Sequence, residues 1–111
     1  MIVVKNNLIP FSGFIAITLW PFIFVRKSSA SRFSDVTLRH EKIHSRQQLE
    51  TLLILFPILY ITEYLIRFLI LRDANRAYRA ISFEQEAYTN EHNTDYIQTR
   101  RNYAWFRFLM K

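Results

Sequence analysis

Residues 34–50 read SDVTLRHEKIHSRQQLE, and two of the chain's three histidines fall in the pentapeptide His40-Glu41-Lys42-Ile43-His44. Ser34 and Asp35 offer cap oxygens just ahead of Val36. Good helix formers follow, and neither Pro nor Gly appears before Pro57. The stretch therefore predicts a helix over 36–56. Residues four apart lie on one helical face, so His40 and His44 can aim their ring nitrogens at one metal ion. Glu41 sits beside that face, within reach of a water on the metal. Gln47, three residues beyond His44, shares the face; it holds a ligand or a substrate carbonyl, or is simply solvated.

A catalytic metal site of this kind needs a third protein ligand and one open position. The segment Ile81-Ser82-Phe83-Glu84-Gln85-Glu86-Ala87-Tyr88 supplies two carboxylates. Ser82 with Gln85 three residues later reads as a capping box, which starts a helix at Phe83. Glu84 and Glu86 then point different ways. Ala87, on the side of Glu84, lets two helices approach closely and favours Glu84 as the ligand, with Glu86 as the alternative. His92, eight residues after Glu84, is a further candidate ligand.

His-Glu-x-x-His is the arrangement of zinc peptidases, with two imidazole ligands and a carboxylate base. Followed by a distant Glu-x-x-Ala, here Glu84 to Ala87, it resembles the gluzincin metallopeptidases, including their minimal, membrane-associated bacterial members. Asn7-Leu8-Ile9-Pro10 through Asn90-Glu91-His92 also resembles small bacterial proteins that carry the same motif pair. The resemblance implies a minimal zincin-like fold holding Zn²⁺ on His40, His44 and Glu84, with Glu41 as the general base. It implies hydrolysis of a peptide or protein substrate lying along a strand ahead of the metal-binding helix. Tyr88 stands where the family usually has a bracing Asp or Asn, and by sequence it is the nearest donor to a developing oxyanion.

Composition bounds the rest. The 111 residues make one domain, 1–111, with half of them hydrophobic, 16% aromatic and a single Gly, which excludes a disordered chain. There is no Cys, so neither a disulfide framework nor a thiolate nucleophile is available. A net charge of +6 favours anionic partners. Arg72, Arg76 and Arg79 share a helical face by their spacing, but no nucleic-acid-binding signature accompanies them, and no nucleic acid is expected. A basic face beside long apolar segments fits a membrane surface better.

Two apolar segments bear on location. In 8–25, residues Phe14 to Leu19 and Phe22 to Val25 read as a hairpin turning at Trp20-Pro21, in preference to a signal sequence or an interrupted span. Residues 52–71 form a helix that is apolar almost all round, apart from Glu63 and Arg67, which can pair at i, i+4. Pro57 should kink it. One small domain can hardly cover such a helix, so it belongs in lipid or an oligomer interface. A last helix, capped by Asn93 or Thr94, carries Tyr96, Tyr103, Trp105, Phe106 and Phe108 as core or interface aromatics. The expected molecule is α+β, mostly α, associated with a bacterial inner membrane; the alternative location is the cytoplasm.

Overall fold

In the computed structural model, which describes residues 1–10 and 13–109, the pentapeptide lies on helix α1, Asp35–Glu50. Ser34 caps it: its backbone is extended and its hydroxyl accepts the Thr37 N–H. The helix does not continue to 56. Thr51 turns its hydroxyl and its N–H back to the Gln47 carbonyl, and the Leu53 N–H bonds to the Gln48 carbonyl. Leu52 and Leu53 take left-handed conformations, φ 57° and 64°. Helix α2, Leu55–Leu71, then departs at 110° to α1. Pro57 falls in its first turn, where a missing N–H costs nothing. The sharp bend therefore precedes the proline.

The expected hairpin forms, with β2 as Ala16–Leu19 and β3 as Phe22–Arg26, antiparallel, Leu19 facing Phe22. A further strand, β1 (Ile2–Asn6), pairs in parallel with β3 and makes the order β1-β3-β2. Ile23 and Val25 on the middle strand are fully buried. Strand β2 is an edge, and α1 lies against it. The Gln48 side chain donates Nε2–H to the Thr18 carbonyl, and its Oε1 accepts the Trp20 N–H. One outward backbone group of β2 and one just after it are thus taken by the protein's own helix, so a substrate cannot pair with the hairpin edge at those positions.

Three helices complete an α+β fold that is mostly helical: α3 (Ala74–Ala80), α4 (Ser82–Asn90) and the short α5 (Tyr96–Thr99). The capping box at α4 does not form. The Ser82 hydroxyl and N–H both donate to the Glu63 carboxylate of α2, while Gln85 bonds the Ala80 carbonyl. The Glu63 carboxylate takes the Ser82 N–H that the Gln85 side chain would accept in a capping box. The expected arginine face is also broken. Arg72 ends α2 in a left-handed conformation, and Asp73 caps α3 by accepting the Arg76 N–H. The last helix stops at Thr99, because Arg100 turns extended to reach buried carboxylates. Of the C-terminal aromatics, Tyr96 and Trp105 are core, while Tyr103 and Phe106 are exposed.

Helix α2 is turned inside out relative to a surface helix of a water-soluble domain. Its half-buried stripe carries Phe56, Tyr60, Glu63, Tyr64 and Arg67. Glu63 and Arg67 pair at 3.5 Å, and Arg67 also donates to the Leu109 carbonyl. Ile58, Ile61, Leu65, Ile66, Leu69 and Ile70 face outward, each more than half exposed. No single helix among the described residues is long and apolar enough to cross a membrane.

Candidate metal centre

Helices α1 and α4 pack face to face, with Ile43 and Ala87 fully buried in one cluster. The small Ala87 lets α4 lie close, which brings Glu84 to the two histidines. Glu84 Oε1 is 3.1 Å from the Nε2 atoms of both His40 and His44, and those nitrogens are 3.2 Å apart. All three residues are buried, and their ligand atoms lie within 4.8 Å of one another. Two imidazoles and one carboxylate converging in this way form a group that can hold a metal ion.

Each ligand is oriented from behind. The His40 Nδ1–H donates to Glu91 Oε2 at 2.7 Å, and the His44 Nδ1–H donates to Gln47 Oε1 at 2.7 Å. Both bonds leave Nε2 free to face the centre, as histidine ligands require. Gln47 is fully buried, and its Nε2 donates to the Phe83 carbonyl and to Glu86 Oε1. Both partners are acceptors, so the Gln47 amide can sit only one way round. The Tyr60 hydroxyl on α2 donates to Glu84 Oε2 at 2.7 Å and leaves Oε1 for the histidines.

Electrostatics follow from this crowding. Burial alone would hold His44 below its ordinary value, but the Glu84 carboxylate in contact with it, helped by Glu41, raises it to about 10. Burial pushes Glu84 up, and the two histidines more than reverse that, holding it well below the carboxylate range. Glu41 is raised: burial in the site outweighs the histidines and the Thr18 hydroxyl. That hydroxyl reaches Glu41 Oε1 at 2.8 Å and fixes the carboxyl beside the metal group. Tyr60 and Tyr78 are both raised, by burial first and then by the Glu84 charge, so they stay phenols.

The remaining expected residues fall elsewhere. Glu86 is fully buried but points away from the histidines. It accepts from Arg100, Tyr96 and Gln47, and Arg100 also grips Glu50 in a bidentate pair. His92 is exposed, its ring 3.7 Å from Glu91 and away from the metal group. Tyr88 stacks edge-on against His40 with centroids 4.5 Å apart, under the Arg79 guanidinium, and its hydroxyl meets that of Tyr78 at 3.2 Å. Tyr88 packs on His40 and is not among the tyrosines that line the adjoining cavity, which are Tyr60, Tyr64 and Tyr78. Sequence reasoning missed Thr18, Tyr60, Glu91 and Arg100. Their contacts span 14 to 51 positions along the chain, so no local pattern announces them.

A cavity of about 980 Å³ opens over His40, His44, Glu41 and Glu84, walled by the hairpin, the start of α2 and α3. No family model, curated protein or solved structure matches the chain.

Proposed function

We propose that the protein is a zinc metallopeptidase working at a membrane, with His40, His44 and Glu84 as metal ligands and Glu41 as the general base. The observation that carries this reading is the buried Nε2/Nε2/Oε1 cluster with a separate carboxyl, Glu41, held beside it by Thr18. The donor set fits zinc: three protein ligands of nitrogen and oxygen type, each braced at its far atom, leaving room for one more. Zinc held by His40, His44 and Glu84 would supply Lewis-acid chemistry and would bring the pKa of a bound water to about 7. Glu41 accepts the proton of the attacking water and hands it to the leaving amine as the C–N bond breaks. Its raised pKa makes it a stronger base than an ordinary carboxylate, which suits taking a proton from water. Tyr78, a phenol facing the cavity, takes the oxyanion role expected of Tyr88.

Membrane association rests on α2, whose Tyr60, Glu63 and Arg67 turn inward to Glu84, Ser82 and Leu109 while its aliphatic side chains turn outward. A contiguous apolar face of this kind is stable when lipid or another protein covers it. Metal analysis and peptide hydrolysis test the whole reading. Purified protein should carry about one zinc per chain, since the fold offers one three-ligand group. Glu41→Gln should keep the metal and lose hydrolysis. Full activity in that variant removes Glu41 as the base, and zinc retained after His40→Ala with His44→Ala removes the site.

A further inference from the structure

Building on the metallopeptidase reading, we infer that the cavity takes an uncharged, apolar stretch of polypeptide reaching it from the bilayer, and that cleavage falls inside that stretch rather than at a chain end. The chain holds fifteen Lys and Arg and a +6 charge, yet among the described residues none that lines the cavity is Lys or Arg. Apart from the metal, which is needed at the scissile carbonyl, a substrate's terminal carboxylate or a lipid phosphate would meet no cation there. Among the described residues, the acidic ones lining the cavity are Glu41 and Glu84. Glu41, steadied by Thr18, is committed as the base, and Glu84 is taken by the histidines and Tyr60, so neither carboxylate is left over to hold a terminal ammonium. Trimming from either end lacks the charge that would recognise that end.

The walls match this lack of charge. Phe14, Ile17, Leu19, Trp20, Leu53 and Ile61 line the cavity and also remain well exposed, between 39% and 57%. Apart from the exposed Asn75 on α3, the lining thus passes into exposed apolar surface. Ile61 belongs both to the cavity and to the outward face of α2, so the mouth opens on the side where that face would meet lipid. An apolar segment moving from bilayer to cavity never has to cross water.

The test uses the full chain with zinc, in detergent micelles or bilayer discs. Its probes are peptides carrying a central Leu/Ala stretch, with ends either free or blocked, and versions with one Lys or Glu inserted in the stretch. Binding is read on the Glu41→Gln variant with a fluorophore-labelled peptide, and cut sites are read by mass spectrometry on the wild type. The plain stretch should bind and be cut internally, blocked or not, while one inserted charge lowers both by at least about tenfold. Ile61→Arg should retain its zinc and bind the Glu-bearing peptide at least about fivefold better than the wild type does, by supplying the missing cation. Apolar peptides that bind but are never cut would sink the peptidase reading and leave the cavity's ligand class standing. Equal handling of charged peptides, trimming from a free end, or hydrolysis of phospholipid in place of peptide would overturn the inference.

Discussion

His40 and His44 are tied at their far nitrogens to unlike partners, a carboxylate at Glu91 and a neutral amide at Gln47. Without metal, His44 lies at about 10 and carries a proton at neutral pH, facing Glu84. A zinc ligand must be neutral, so metal binding at pH 7 should expel that proton. The sign is fixed: affinity should fall as pH falls, by about tenfold per unit between pH 9 and 6. Calorimetry in two buffers of different ionisation enthalpy would read the released proton, and a buffer-independent heat would contradict it. Tyr60→Phe frees Glu84 Oε2 from its one phenolic partner, and should weaken zinc binding by about 10–100-fold without unfolding the chain. Tyr78→Phe should lower kcat and leave zinc content unchanged. The two histidines and Glu41 were legible because one helical turn sets their spacing. Glu84 could be separated from Glu86 because a small residue marks a close-packed face. Their braces were not legible, since each comes from a distant segment and chemistry alone does not tell a bracing Gln, Tyr or Thr from a solvated one.

Among the elements, the turn between α1 and α2 holds the least expected geometry. Two consecutive leucines in the left-handed region cost roughly 1–2 kcal/mol each, because Cβ crowds the following carbonyl. Leu52 is three-quarters exposed and contributes little burial in return. Leu52→Gly should leave thermal stability unchanged or raise it by up to about 1 kcal/mol, the relief of strain being partly offset by greater freedom of the unfolded chain. Leu52→Val, branched at Cβ, should lower it by about 1–2 kcal/mol. If both variants melt alike, the turn is not strained. Leucine is a strong helix former, so propensity carried the sequence reading straight through this turn to Pro57. Strand β1 escaped notice for another reason: its residues are mostly exposed and show no clean alternation, although Ile2, Val3 and Val4 are β-branched. The hairpin was legible because aromatic and β-branched runs flank a proline turn.

At the scale of the whole molecule, the outward aliphatic face of α2 should drive the protein into the detergent or membrane fraction. Replacing Ile58, Leu65 and Leu69 together with Glu should release it to the aqueous phase with its zinc intact, since none of the three is buried. Sedimentation with lipid vesicles checks this, and a monodisperse wild-type monomer in plain buffer would refute it. A second whole-molecule constraint is the buried union of Arg100 with Glu86 and Glu50, which ties the segment after α5 to α4 and α1. Arg100→Met strands the Glu86 carboxylate without a cation and should cost about 3–5 kcal/mol, with Glu86→Gln in the same chain recovering part of it. That union also sets an order of events. Every metal ligand is synthesised before residue 100, but the carboxylate that steadies Gln47 and hence His44 has no cation until Arg100 arrives. A chain ending at residue 99 would keep all three residues of the metal group yet lack the cation that holds the carboxylate behind Gln47.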